Sequence, residues 1–141
     1  MKSPSKRISL AAVAALAASC LIWAAPASAQ QQEVLKNGRI DFEENCAPCH
    51  GKSGMGEGKM AGLLTAKPPD LTRIAKRNGG EFPFWKVYET IDGEIPSQAH
   101  QLSPMPIWGN RFRDQGESGT HPPFYARILV ITQYLESIQE K

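Results

Sequence analysis

Cysteine is scarce in this chain: Cys20, Cys46 and Cys49 are the only ones in 141 residues. Histidine is equally scarce, at His50, His100 and His121. The last two lie too far apart to form a closely spaced pair, so a four-ligand zinc site would lack its second half. The βαβ pattern that accompanies a thioredoxin-like dithiol is missing as well. No nucleophile-and-base constellation is evident, so bond-making on a substrate is not expected. Strong basic patches are also lacking. Lys36 and Arg39 are interleaved with Asp41, Glu43 and Glu44, which excludes nucleic acid as an expected partner.

One long apolar run is present, Ile8 to Ala25, preceded by Lys2, Lys6 and Arg7. It closes on Ala27-Ser28-Ala29, a small-x-small site followed by Gln30. That is the layout of a secretory signal peptide. The run is only just short of the roughly 20 residues that span a bilayer, but the small-x-small site directly after it favours cleavage over retention. We therefore expect residues 1–29 to be removed after Ala29 and the product to be periplasmic, with no membrane span in its mature form. A lipid-modified Cys20 fits poorly, because Leu21, Ile22 and Trp23 continue the apolar run. Residues 1–29 hold three of the 16 Lys and Arg and none of the 14 Asp and Glu, so the formal charge moves from +2 to −1 on cleavage. What remains, residues 30–141, is one domain by size and would bury only about two thirds of its unfolded surface. A built-in cofactor would add core that the side chains lack.

With Cys20 gone, the remaining cysteines stand in Cys46-Ala47-Pro48-Cys49-His50. C-x-x-C-H is the haem-attachment signature. If the run is helical, as expected at the end of a helix over Glu33 to Cys46, the offsets i, i+3 and i+4 put both sulfurs and the imidazole on one face. Two thiols can then add to two haem vinyl groups while His50 reaches the iron from the same side. A structural disulfide, a dithiol and half a zinc site are the competing readings.

A second axial ligand raises the redox potential if it is a thioether rather than a nitrogen. Met55 and Met60 follow His50 too closely to cross to the opposite haem face without an awkward wrap. Met105 lies 55 residues beyond His50, within Ser103-Pro104-Met105-Pro106-Ile107-Trp108-Gly109. Its flanking prolines favour an extended backbone, a rigid way to present a sulfur. Gap-filling in the core is the alternative role for Met105, and His100 and His121 are the rival ligands.

Taken together, these residues resemble a class I cytochrome c over nearly all of residues 33–138. His50-Gly51-x-x-Gly54-x-Gly56 is similar to the family's loop after the proximal histidine, and Met105-Pro106-x-Trp108-Gly109 to its methionine-ligand loop. The resemblance implies an all-α fold of three to five helices wrapped around one covalently bound haem c, with His50 and Met105 as axial ligands. It also implies that Pro69, in Pro68-Pro69-Asp70-Leu71, offers its carbonyl to His50 Nδ1, and that the first and last helices cross. Gly38 and Phe42 would then meet Ile131 and Tyr134.

The residues themselves agree with a closing helix. Phe124, Ile128, Ile131, Leu135 and Ile138 are spaced 4, 3, 4, 3 behind Pro122-Pro123, an amphipathic pattern. Phe82 to Ile91 predicts a shorter helix with Phe84, Val87, Tyr88 and Ile91 inward, ended by Asp92-Gly93. Trp85 and Trp108 are expected on the haem-pocket wall, with ordinary core packing an equal alternative for Trp85. Arg111 to Pro123 reads as a long polar loop, solvated or else a docking element. The expected activity is single-electron transfer between unidentified redox partners, by a monomer or by a subunit of a complex. The alternatives are a haem subunit fixed in a larger dehydrogenase or oxidase, and an open-site sensor or peroxidase.

Overall fold

Loops form where glycine and proline gather, and α-helix takes the longer stretches between them. The structure, a computed structural model, describes residues 26–93, 105–116 and 123–140. His100 and His121, the apolar run to Ala25 that is expected to be a signal peptide, and residues 117–122 of the expected polar loop lie outside those residues. The chain divides into two compact units, Met1–Gln32 and Glu33–Lys141, and the second holds the core and the cavity. Four helices of nine residues or more are described: α1 (Pro26–Asn45), α4 (Phe84–Asp92), α5 (Trp108–Gly116) and α6 (Phe124–Ser137). Two single turns, α2 (Ala47–His50) and α3 (Ile74–Arg77), lie between them. Short 3₁₀ segments occupy Ala61–Leu63 and Leu71–Arg73. No described helix is long and apolar enough to cross a membrane.

The core joins Phe42 of α1, Ile91 of α4, Trp108 and Phe112 of α5, and Ile128, Ile131 and Leu135 of α6. α1 and α6 cross at Gly38. A Cβ there would strike the Val130 carbonyl oxygen and lie 2.9 Å from Tyr134 Cβ. One turn on, the Phe42 and Tyr134 rings pack 5.4 Å apart. The helix-to-helix meeting expected of Gly38, Phe42, Ile131 and Tyr134 is thus present.

Two expectations are corrected. Arg111 to Gly116 is not loop but the greater part of α5. Its polar composition hides a buried Phe112 and arginines that sit over rings, Arg111 over Trp108 at 5.4 Å and Arg113 over Phe124 at 4.5 Å. Trp85 is neither core nor pocket wall: it is 67% exposed and packs edge-on against its neighbours Phe84 and Tyr88. Val87, Tyr88 and Ile91 face the core as expected, Phe84 does not reach it, and position 85 lies off their face, so the helical period turns Trp85 outward.

Between α1, α5 and α6 lies a polar network that the sequence reading did not anticipate. Arg127 is 4% exposed. Its guanidinium donates to Asp41 Oδ1 from Nε at 3.0 Å and from Nη2 at 2.6 Å, and to Gln115 Oε1 from Nη1 at 2.6 Å. It also lies 4.0 Å from the Phe112 ring centre. The signal was available: Arg127 adjoins Ile128 on the buried stripe of α6, where a cation needs a partner.

Candidate cofactor site

The helical path of α1 does not stop at Asn45. Cys46 N donates to the Phe42 carbonyl at 2.9 Å, and His50 N to the Cys46 carbonyl at 2.9 Å. Pro48 sits in the first turn of α2, where its missing N–H removes no bond. Cys46, Cys49 and His50 therefore share one helical face, as their spacing requires.

The loop that follows folds back beneath this turn. Gly56 N donates to the His50 carbonyl at 2.8 Å, Gly58 N to the Cys49 carbonyl at 3.1 Å and Met60 N to the Pro48 carbonyl at 2.8 Å. Gly56 has φ +84°, and a Cβ there would strike the Pro68 carbonyl oxygen. Glycine at 56 thus serves both the turn and the close approach of Pro68-Pro69. That strand of loop is held from its other end by Asp70, whose Oδ1 accepts from Thr72 N at 2.9 Å and Thr72 Oγ1 at 2.6 Å.

Around these elements lies a cavity of about 620 Å³, within the usual range for a bound organic ligand. Cys46, Cys49, His50, Pro69, Met105 and Trp108 all line it. The rest of the wall is mainly apolar, including Phe42, Val87, Ile91, Ile131 and Leu135. Met105 arrives with Pro106 and the 8%-exposed Trp108 from the start of α5. Met55 and Met60 stand on the surface, 53% and 46% exposed, away from the cavity. Wall residues from α3 and its surroundings, Ile74, Arg77 and Asn78, were not anticipated. Nothing in their local pattern marks them, since α3 is a single turn, too short to show a period.

The electrostatics suit a neutral donor set. Burial holds the His50 imidazole below its ordinary pKa, against a smaller upward pull from the Pro69 carbonyl. His50 Nδ1 is buried and makes no well-formed hydrogen bond, so the Pro69 carbonyl is a nearby acceptor rather than a fully aligned one. Cys46 is only partly exposed, where it borders the cavity, and is packed against the core elsewhere. Its thiol is pushed up to about 12 by burial first, then by Asp41 and Cys49. A thiol so hard to ionise is a poor redox dithiol, which needs a lowered pKa. Cys46 and Cys49 are not joined in a disulfide. Among the described residues no group of three or more His, Cys, Asp and Glu could hold a metal ion. The residues present do fit a haem, with two thiols beside an imidazole on one turn, a thioether on the wall and an apolar enclosure.

Comparison with known proteins came to the same point. The family model described as Cytochrome c matches residues 35–115, a span that holds the attachment turn, the Gly-rich loop and the Met105 segment. No curated protein and no solved structure matches the chain.

Proposed function

We propose that this chain, which belongs to the cytochrome c family, is a single-electron carrier with one covalently attached haem c, axially held by His50 and Met105. The observation that carries this reading is convergence: Cys46, Cys49 and His50 from one helical turn share a single cavity with Met105, 55 residues further on. Bound there, the haem supplies a one-electron iron couple. The two thiols anchor it as thioethers, and His50, kept neutral by burial, is ready to donate to iron. The Pro69 carbonyl beside Nδ1 orients the ring and leaves Nε2 for the metal. Met105 contributes the thioether that raises the potential. Phe42, Val87, Ile91, Ile131 and Leu135 keep water from the group, which tunes the same quantity. The amino-terminal pattern of Lys2, Lys6, Arg7 and Ala27-Ser28-Ala29 supports export and work in the periplasm. Donor and acceptor are other redox proteins.

Denaturing gel electrophoresis with haem staining tests attachment: the stain should stay with the chain and be much reduced in Cys46→Ala. Substituting Met105 by Ala tests ligation. The variant should keep its haem, lose potential and, when reduced, bind carbon monoxide readily, while His100→Ala and His121→Ala behave like the parent. A Met105→Ala protein with unchanged potential and closed iron, beside a histidine variant that loses both, would refute the assignment.

A further inference from the structure

The end of α4 and the start of α5 meet at two glycines. Gly93 closes α4 in the left-handed region, φ 83° and ψ 9°, and its amide donates to the Glu89 carbonyl at 2.9 Å. A Cβ on Gly93 would stand 2.8 Å from Ile107 Cγ2 and 3.1 Å from Ile107 Cβ. The bare glycine therefore makes room for the Ile107 side chain. One residue earlier, Asp92 is 5% exposed. A Cβ on Gly109 would strike its Oδ1, and would lie 2.8 Å from its carbonyl oxygen and 2.9 Å from Cγ. Gly109 is the second residue of the nine-residue α5, so the Asp92 carboxylate is packed at the positive end of that helix.

These contacts bracket the segment that follows Met105. Pro106 and Trp108 line the cavity beside it, while Ile107 and Gly109, the alternate residues, lie against the α4 turn. Burying a carboxylate carries a desolvation cost that an apolar side chain in the same corner would avoid. Its charge at a helix start gives it a role that packing alone does not. We propose that the Asp92–Gly93 turn is a positioning clamp, which fixes residues 106–109 and so holds the Met105 thioether on the cavity wall. Asp92 acts through Gly109, and Gly93 through Ile107. The inference rests on the assignment of Met105 as distal ligand made above.

The test uses purified holoproteins carrying Asp92→Asn, which keeps the shape and removes the charge, and Gly109→Ala, which adds only the colliding methyl. Met105→Ala is run beside them, with Gly62→Ala, which meets open space, as control. Carbon monoxide binding to the reduced form and the midpoint potential are read, with far-ultraviolet circular dichroism as the check on folding. Asp92→Asn and Gly109→Ala should keep their haem and helix content, show roughly a tenfold larger carbon-monoxide-accessible fraction, and have a lower potential. Gly62→Ala should match the parent. A charge effect alone has the opposite sign: removing a nearby negative charge favours the reduced state and raises the potential. Asp92→Asn with a raised potential and closed iron would therefore overturn the clamp. If Gly109→Ala does not fold, Asp92→Ala removes the carboxylate without adding a methyl at position 109, and a closed iron in that variant overturns the clamp equally. Opening in Met105→Ala without opening in the clamp variants rejects the clamp alone. A Met105→Ala protein that stays closed rejects the distal-ligand assignment, and the clamp with it.

Discussion

Gly38→Ala sets two opposed effects against each other in α1. In an isolated helix the exchange is favourable, because alanine gains up to about 1 kcal/mol over glycine. In the folded chain the new methyl would meet the Val130 carbonyl oxygen, 2.7 Å from Val130 C and 2.9 Å from Tyr134 Cβ. The obstacle is the backbone of α6, which has no rotamer to change, so the two helices must separate. Overpacking of this kind costs about 1–3 kcal/mol or somewhat more. The backbone contact places Gly38 at the upper end, and the clash outweighs the propensity gain by roughly 2 kcal/mol. For a domain of this size that lowers the unfolding midpoint by about 10 °C. Thermal unfolding of the holoprotein measures it, and near-ultraviolet circular dichroism should register the disturbed Phe42–Tyr134 pair. Gly62→Ala, with nothing within 4 Å of the added methyl, should be neutral or slightly stabilising. If Gly38→Ala unfolds at or above the parent's midpoint, the close crossing of α1 and α6 is not what fixes glycine at that position.

Arg127→Ala leaves Asp41 without its charge partner and takes the guanidinium away from Phe112 and Gln115, so denaturant unfolding should show a loss of about 3–5 kcal/mol, and a loss below about 1 kcal/mol would contradict a structural role for the network. Asp70→Ala removes the cap on Thr72 and should cost about 1 kcal/mol near neutral pH. Because its hydrogen bonds from Thr72 hold the Asp70 pKa below the ordinary 3.8, that advantage is full above the unfolded pKa and fades as the pH falls through the lower folded value. The parent and variant should therefore converge in strong acid, and a difference that persisted there would show that the Asp70 charge is not its source.

The half of the site nearer the amino terminus was legible because its structure is local. Cys46, Cys49 and His50 lie within one helical turn, and the loop that supports them hydrogen-bonds back to Pro48, Cys49 and His50 within about a dozen residues, so spacing alone dictates geometry. The crossing of α1 and α6 was implied by the family resemblance, while the period of its apolar residues made the buried face of α6 legible on its own. The Met105 side is different in kind. Trp108–Gly116 has the glycine, asparagine and arginine content of a solvated loop, and it is helical because Phe112 is buried and Arg127 reaches it from α6. The contact of Asp92 with Gly109 joins residues whose separation in sequence carries no period at all. Tertiary contact overrides local preference there. A functional asymmetry follows from this physical one. Under the proposed attachment, changes near Cys46–His50 act on attachment itself, because the loop there is hydrogen-bonded to the turn that carries the thiols. Changes in α4, α5 or α6 can act on Met105 from a distance while attachment is untouched. With Met105 as the proposed distal ligand, that side is where the potential can be varied through residues that do not line the cavity.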